Sequence, residues 1–326
     1  MSRTATNITV IDQALVSGTN FITGLVLARI LGIDAYGLFI LLAGVTLFAS
    51  SMQNAIIISP MMVHGPSYKK GASQNYYQTT AILQTVLTLV FFLLILIIGT
   101  ILNNTLLDSR LNNLILPLAL ATSGFLLQEY YRKYFFSVNK TIQALVNDSL
   151  SYGIQLISII AVHYFYGIEV ESCLYIMAIT SFIAVIHGTI ISGLFYIISK
   201  ITYTNIKDTI AKHWAFGKWL IARNMTYWLS TQMVIYMTGI FLSISAVGAM
   251  GAARNIVGII NILFLALNNF ATPRASKIYA SQGINGLSKY MRRLSLIGGG
   301  ATASIAFIAS IAPEFWLNLV YSTEYA

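Results

Sequence analysis

Charged residues are scarce in this chain, and their scarcity excludes most soluble proteins. Only 9% of the 326 residues are charged and 57% are hydrophobic, whereas soluble domains usually carry about 25% charged residues. So few polar side chains could not cover a water-facing surface of this size. The mean hydropathy of +0.75 agrees with this. The composition therefore predicts an integral membrane protein.

Residue types that usually bind metals or catalyse reactions are also few. The chain has one cysteine, Cys173, and its 4 histidines are scattered without ligand spacing. This excludes an internal disulfide and argues against a metal site. The sequence shows no nucleophile motif, no nucleotide-type phosphate loop and no paired carboxylates in a soluble domain. We therefore expect no enzymatic activity, no metal and no cofactor.

Hydrophobic stretches of the length that a helix needs to cross a hydrocarbon layer of about 30 Å recur along the whole chain. Continuous apolar runs such as 90–98 and 154–162 indicate helices, because barrel strands would alternate. The predicted spans are 8–32, 35–60, 77–102, 112–138, 145–166, 171–198, 214–243, 246–271 and 288–311. The predicted fold class is an all-α integral membrane protein with about nine transmembrane helices.

Basic residues predict the orientation of these spans. Placing the N-terminus in the cytoplasm puts all of the 19 Lys and Arg on the inner side except Arg29, Arg110, Arg223 and Arg254. Cytoplasmic loops are enriched in basic residues, so we expect a cytoplasmic N-terminus. The basic residues stand singly or in pairs between apolar spans, which argues against nucleic acid and for the lipid bilayer as a partner.

A weak internal repeat relates the two parts of the chain at an offset of 211 residues, pairing 33–37 with 244–248. Such duplications are common in transporters. The offset predicts an N-terminal six-helix bundle over 1–205 and the start of a second bundle over 206–326. A further helix would begin near residue 323, so we interpret the chain as a C-terminally incomplete twelve-helix, two-bundle transporter. Residues 313–321 would form an outer interfacial elbow.

Three stretches carry a resemblance to a known family. Residues 27–39 (LARILGIDAYGLF) resemble the junction of the first two helices in polysaccharide/O-antigen flippases, the polysaccharide transporter family of the multidrug/oligosaccharidyl-lipid/polysaccharide exporter superfamily. Residues 247–254 with 273–276 resemble its eighth helix and the inner loop that follows. Residues 319–326 are similar to the stretch that leads into its tenth helix.

The resemblance implies a central cavity, lined by the first, second, seventh and eighth helices, that opens alternately to either side. It implies export of an undecaprenyl-diphosphate-linked oligosaccharide, such as an O-antigen (lipopolysaccharide), capsule or teichoic-acid precursor, across the bacterial inner (plasma) membrane. A polysaccharide polymerase and glycosyltransferases would be further partners. Two alternatives stay open: an ion-coupled multidrug exporter of the same superfamily, and a non-transporting membrane subunit of a polysaccharide-assembly complex.

Ionisable residues inside a span are costly and therefore mark candidate sites. Arg254 and Arg223 lie well inside the eighth and seventh predicted spans, and a guanidinium matches the oxygens of a diphosphate. A structural role, as a buried ion pair or a cap on a carbonyl group, is the alternative for both. Arg29 is a weaker substrate candidate at the outer end of the first span, where its side chain could instead snorkel to the headgroups.

Amides and aromatic rings complete the candidate substrate site. Asn255 and Gln232 could bind sugar hydroxyl groups, or they could join neighbouring helices. Tyr36 and Tyr227 lie near or on the helices that the resemblance assigns to the cavity, and their rings are candidates for stacking on sugars.

Acidic residues suggest a gate and two structural roles. The 211-residue offset relates Asp12 to Arg223, which predicts an inter-lobe ion pair that forms in one access state; alternatively, Asp12 lies at the inner headgroup level. Glu129 precedes Arg132 and Lys133 at the spacing of a local salt bridge. Asp148 is expected only to interact favourably with the dipole of its helix.

Overall fold

The computed structural model describes residues 3–68, 72–105, 112–194 and 201–311. Within these ranges the regular elements are helical and there is no strand, which confirms the all-α prediction. The helices are α1 (Arg3–Leu31), α2 (Ile33–Gln53), α3 (Ser59–His64), α4 (Ala72–Thr105), α5 (Asn112–Ser137), α6 (Thr141–Asp148), α7 (Ile154–Tyr166), α8 (Val170–Ser192), α9 (Tyr203–Phe241) and α10 (Ile244–Ile311). The predicted elbow at 313–321 lies outside the described residues.

Two pairs of these helices form continuous rods. A π-helical turn at Asn54–Ile58 joins α2 to α3, and another at Ser149–Gly153 joins α6 to α7. Conversely, α10 is interrupted at Gly283, whose φ of 64° and ψ of −159° are not helical. The rods and the two segments of α10 therefore cover most of the predicted spans, but α8 ends at Ser192, before the predicted end at 198.

Several of the rods are suited to a membrane. Five segments of the described chain are long and apolar enough to cross a bilayer. They are Asn7–Leu31, Ile33–Ser67, Ser73–Leu102, Thr141–Tyr166 and Val170–Ser192. The protein is thus a multi-pass membrane protein, while the number of crossings and the orientation stay predictions. We call the side with the α1–α2 turn outer and the opposite side, predicted to be cytoplasmic, inner.

Two turns on the outer side depend on glycine. Gly32 between α1 and α2 has a φ of 76°, and Gly167 between α7 and α8 has a φ of 75°. Side chains other than glycine's are strained in this region of backbone space. These turns let each pair of helices fold back as antiparallel neighbours with almost no loop.

The core of the first bundle lies between α5 and α8. Gly124 faces Ser181, and Gly188 lies against the ring of Tyr131, so the two helices approach closely at both levels. Buried apolar side chains such as Leu118 fill the space toward the outer side. We refer to residues 3–194 as the first half and to 201–311 as the second; the predicted domain boundary at residue 205 stays a prediction.

Candidate functional site

The two halves meet at the outer ends of α2 and α10. An added Cβ at Gly37 would collide with the carbonyl oxygen of Ile244, and one at Gly248 would collide with the carbonyl oxygen of Ile33. The two helix backbones therefore touch at this level. Only glycine permits so close an approach, because it has no Cβ.

This outer contact obeys the 211-residue offset. The Ser245 hydroxyl donates a hydrogen bond to Asp34 Oδ1 at 2.5 Å, and the two residues are 211 positions apart. The two glycine contacts are related by the same offset. Gly248 is the equivalent of Gly37 and Ile33 is the equivalent of Ile244, so the contact of Gly37 with Ile244 corresponds to that of Gly248 with Ile33. Equivalent positions touch in this way only close to the axis of an approximate twofold, so we infer that the outer ends of α2 and α10 lie at such an axis.

A second contact between the halves runs along α2, where α9 donates side-chain hydrogen bonds to backbone carbonyl groups. The bonds join Tyr236 Oη to Leu41 O at 3.0 Å, Trp228 Nε1 to Gly44 O at 3.3 Å and Asn224 Nδ2 to Ser51 O at 3.0 Å. These bonds span the outer and middle parts of both helices. They attach α9 to the first half.

The π-helical turn of α2 continues this contact toward the inner side. His213 Nδ1 lies 2.9 Å from the carbonyl oxygen of Ile56, and His213 Nε2 lies 2.8 Å from the Tyr76 hydroxyl. A carbonyl group only accepts, so Nδ1 carries the proton in this arrangement. Gly217 lies beside Ala55, whose carbonyl oxygen would be 2.6 Å from an added Cβ. In a π-helical turn the backbone carbonyl groups depart from the α-helical hydrogen-bonding pattern, so they can accept hydrogen bonds from a neighbouring helix.

The structure joins two of the predicted substrate residues. Arg254 donates through an Nη atom to Gln232 Oε1 at 3.1 Å, linking α10 to α9. Gln232 is only 4% exposed, whereas Arg254 is exposed. The buried amide thus orients an accessible guanidinium. Neither of the two other predicted arginines, Arg29 and Arg223, forms an ion pair with a residue in the described ranges, and both are exposed.

The remaining candidates divide by exposure. Tyr227 is 67% exposed, so its ring faces are accessible. Tyr36 is 2% exposed and its ring stacks on Phe39 at 6.3 Å between centroids, so it packs inside the protein instead of offering a surface to a sugar. Asn255 lies against Gly24 of α1, and within the described residues its Nδ2 has no hydrogen-bond partner, so both of its predicted roles stay predictions.

A cluster of charges is buried in the first half around Arg132 of α5. Its guanidinium lies 3.1 Å from Asp12 Oδ2, 2.6 Å from Asp148 Oδ2 and 3.4 Å from Glu129 Oε2. Arg132, Asp12 and Asp148 are all buried. Buried charges persist only when paired, and one arginine here joins α1, α5 and α6.

This cluster changes the prediction for Asp148, and it leaves the one for Asp12 open, because that ion pair was predicted to form in one access state alone. Asp12 pairs with Arg132 and not with Arg223, so the proposed inter-lobe pair is absent from this conformation. Asp148 does more than interact with a helix dipole, because its carboxylate holds Arg132. The local bridge is confirmed, since Glu129 also lies 3.2 Å from Lys133 Nζ. Acidic residues near the inner ends of three different helices were the signal that could have revealed the cluster.

No protein-family model and no curated protein sequence matches the chain. Solved structures do match. A crystal structure of MATE in complex with MaD3S aligns with a TM-score of 0.63 and 13% identity, over 98% of this chain and 75% of that one. An outward-facing multidrug resistance MATE family transporter of the MOP superfamily aligns with a TM-score of 0.61 and 14% identity, over 98% of this chain and 76% of that one. A MOP superfamily transporter from Pyrococcus furiosus aligns with a TM-score of 0.59 and 13% identity, over 93% of this chain and 72% of that one.

The chain therefore has the fold of MATE family transporters of the MOP superfamily. At this level of identity the likeness concerns the fold.

Proposed function

We propose that this protein is a flippase that moves an undecaprenyl-diphosphate-linked oligosaccharide across the bacterial plasma membrane by alternating access. The observation that carries the proposal is a difference in pairing between the acidic residues buried in the first half and the arginines of α9 and α10. Deep acidic residues are neutralised, and deep basic residues are accessible. Such a distribution suits an anionic substrate.

The acidic residues whose charges are neutralised lie in the first half. Asp12 and Asp148 are buried against Arg132, and Glu129 is bridged by Arg132 and Lys133. None of these carboxylates is left for an organic cation. A transporter of cations is expected to present accessible acidic groups on its pathway.

The basic side lies on α9 and α10. Arg254 keeps its charge while the neutral Gln232 amide accepts from one of its donors. Within the described residues no other side chain pairs with this guanidinium, so the other donors of its planar fork are available to the oxygens of a diphosphate. Arg223 and Tyr227 are four positions apart on α9, hence on one face, and both are exposed. They would bind the phosphate and a sugar ring respectively.

The multidrug alternative is consistent with the same fold. One structural neighbour is described as a multidrug resistance transporter, and another as having a binding pocket of reversed polarity that suggests a different function. The fold thus accommodates pockets of either polarity. The sign of the accessible charges favours the anionic substrate in this chain.

Reconstitution of the chain into proteoliposomes tests the proposal. We expect fluorescent undecaprenyl-diphosphate-linked glycan to cross the bilayer, and Arg254→Gln to slow crossing about tenfold or more because a charge-assisted hydrogen bond is lost. Arg292→Gln is the matched control, since Arg292 is exposed near the predicted inner surface.

The alternatives predict different results. Transport of organic cations with no movement of the glycan lipid would favour the multidrug exporter. No transport of either substrate, together with retention in a polysaccharide-assembly complex, would favour the non-transporting subunit. An equal loss of transport in Arg254→Gln and Arg292→Gln would show that Arg254 has no specific role in binding the substrate.

A further inference from the structure

A groove lies between α4 and α9 in the inner part of the molecule, and its inner end is polar. This end is a cavity of about 220 Å³ beside the start of both helices. Asn75 and Thr79 of α4 face Asn205, Asp208 and Lys212 of α9 across it. With Tyr68, Tyr76 and Thr209, which also line it, the cavity offers one cation, one carboxylate, two amides and four hydroxyl groups.

The groove becomes apolar further from the inner end. A second cavity, of about 210 Å³, is lined almost entirely by carbon, with Leu83, Val86 and Val90 on α4 opposite Ile210 and Ile221 on α9. Val86 is 54% exposed, so this part opens sideways toward the surroundings of the helices. The span from residue 75 to residue 90 of α4 is about 22 Å, the length of a lipid headgroup with part of an acyl chain.

The two cavities are neighbours along α4 and α9, and the buried side chains of Thr79, Tyr76 and His213 lie between them. Thr79 of the polar part and Leu83 of the apolar part are one helical turn apart on the same face of α4. The Tyr76 hydroxyl, in the polar part, lies 2.8 Å from His213 Nε2, in the apolar part. The change from the polar to the apolar cavity matches the change from membrane interface to hydrocarbon.

The position of Lys212 is fixed by aromatic residues. Its ammonium group donates a hydrogen bond to the Tyr68 hydroxyl at 2.8 Å, and the ring of Tyr68 stacks on that of Tyr76 at 4.8 Å between centroids. Lys212 is therefore held at the mouth of the groove. Asp208 is four residues earlier on α9, and within the described chain the two form no ion pair.

We propose that this groove binds one phospholipid with a primary amine in its headgroup. Lys212 binds the phosphate, Asp208 binds the ammonium group, and an acyl chain lies along Leu83, Val86 and Val90. Side chains four apart on a helix have Cβ atoms about 5–6 Å apart, which suits the short spacing between phosphate and ammonium in phosphoethanolamine. A cation beside a carboxylate favours this zwitterion over a headgroup with only negative charge.

The lipid would lie between the two halves, because α4 belongs to the first and α9 to the second. It would extend the contact in which His213 already joins α9 to Tyr76 and Ile56. The proposal does not depend on what the protein transports. Its test is therefore a measurement of lipid binding.

Native mass spectrometry of the detergent-purified, delipidated chain tests the groove. We expect added phosphatidylethanolamine to remain bound and to raise the melting temperature more than phosphatidylglycerol or phosphatidylcholine of the same acyl chains. Phosphatidylcholine is informative because it keeps the phosphate and the charge but has no ammonium hydrogen to donate. Lys212→Gln and Asp208→Asn should each weaken binding of phosphatidylethanolamine about tenfold.

Two matched controls are available on the same helices. Lys207→Gln removes an exposed cation of α9 outside the groove and should leave lipid binding unchanged. Val86→Trp should fill the apolar part and reduce binding, whereas Leu89→Trp, at a residue that is 55% exposed but outside the groove, should not. If Val86→Trp folds poorly, Lys212→Gln and Asp208→Asn still test the proposal.

Three results would overturn the proposal. The first is equal or stronger retention of phosphatidylglycerol than of phosphatidylethanolamine. The second is an equal effect of the Lys212 and Lys207 variants. The third is unchanged binding in Asp208→Asn, which would show that the ammonium group is not recognised.

Discussion

Arg132 of α5 holds Asp12 of α1 at 3.1 Å although 120 positions separate them in the sequence. The same guanidinium holds Asp148 of α6, so one side chain joins three helices of the first half. Gln128 adds a hydrogen bond to Asp148 at 2.8 Å. The inner part of this bundle therefore depends on a buried ionic network in addition to apolar packing.

Loss of Arg132 should strongly destabilise the protein. We expect Arg132→Gln to lower the free energy of unfolding by about 3–5 kcal/mol, because Asp12 and Asp148 would be left buried without a cation. Denaturant unfolding in detergent measures the change. Lys133→Gln is the control. Lys133 has a 28% exposed side chain and, within the described residues, forms an ion pair with Glu129 alone, so its loss should cost about 1 kcal/mol or less. Similar losses in both variants would contradict the buried network.

A larger side chain at Gly37 should open the outer contact. In Gly37→Leu the new side chain collides with the backbone of α10. This raises the free energy of the arrangement in which α2 and α10 touch by about 1–3 kcal/mol. We expect Ser245→Cys, in a Cys173→Ala background, to react with an impermeant thiol reagent about fivefold faster or more when Gly37→Leu is added. The background is simple because Cys173 is the chain's one cysteine.

Gly18→Leu provides the comparison for this experiment. An added Cβ at Gly18 meets nothing within 4 Å, so this variant should leave the reactivity of Ser245→Cys unchanged. Faster labelling in the Gly18 variant as well would point to general loosening of the protein.

A disulfide should replace the hydrogen bond between Asp34 and Ser245. The two side-chain oxygens are 2.5 Å apart, which places the residues close enough for Asp34→Cys and Ser245→Cys to be oxidised together. Mass spectrometry should show the loss of two free thiols in the double variant and none in either single variant. If the protein is the proposed flippase, oxidation should stop transport and reduction should restore it. Persistence of both thiols under oxidant would exclude this contact.

A methyl group at Gly217 should weaken the attachment of α9 to α2. An added Cβ would lie 2.6 Å from the backbone oxygen of Ala55, so Gly217→Ala should lower the free energy of unfolding by about 1–3 kcal/mol. Gly299→Ala, where nothing lies within 4 Å, should instead stabilise α10 by up to about 1 kcal/mol through helix propensity. Thermal unfolding of both variants measures the difference.

Local patterns in the sequence predicted the helices well. The spans 112–138 and 35–60 begin within two residues of the starts of α5 and α2, because membrane helices are specified by the length and continuity of apolar stretches. The offset of 211 residues also reappears in space, as the bond between Asp34 and Ser245. Arg254, which the sequence placed inside a span, is exposed and hydrogen-bonded to Gln232, and its role in binding a substrate stays a prediction.

Partners of the deep side chains were predicted less well. Asp12 was expected opposite Arg223 because the repeat makes them equivalent, yet equivalent residues touch only close to the twofold axis. Asp12 faces α5, within its own bundle, where Arg132 provides a nearer charge. Tyr36 was expected to be accessible, but the rotation of α2 turns its ring into the protein.

The sequence by itself determined that this is an all-helical membrane protein, because the balance of apolar and charged residues is a property of composition and of stretches about twenty residues long. The tertiary structure alone decided which charges are neutralised around Arg132, which remain accessible at Arg254 and Arg223, and where α4 and α9 leave a groove. Those features depend on the rotation and packing of helices far apart in the chain.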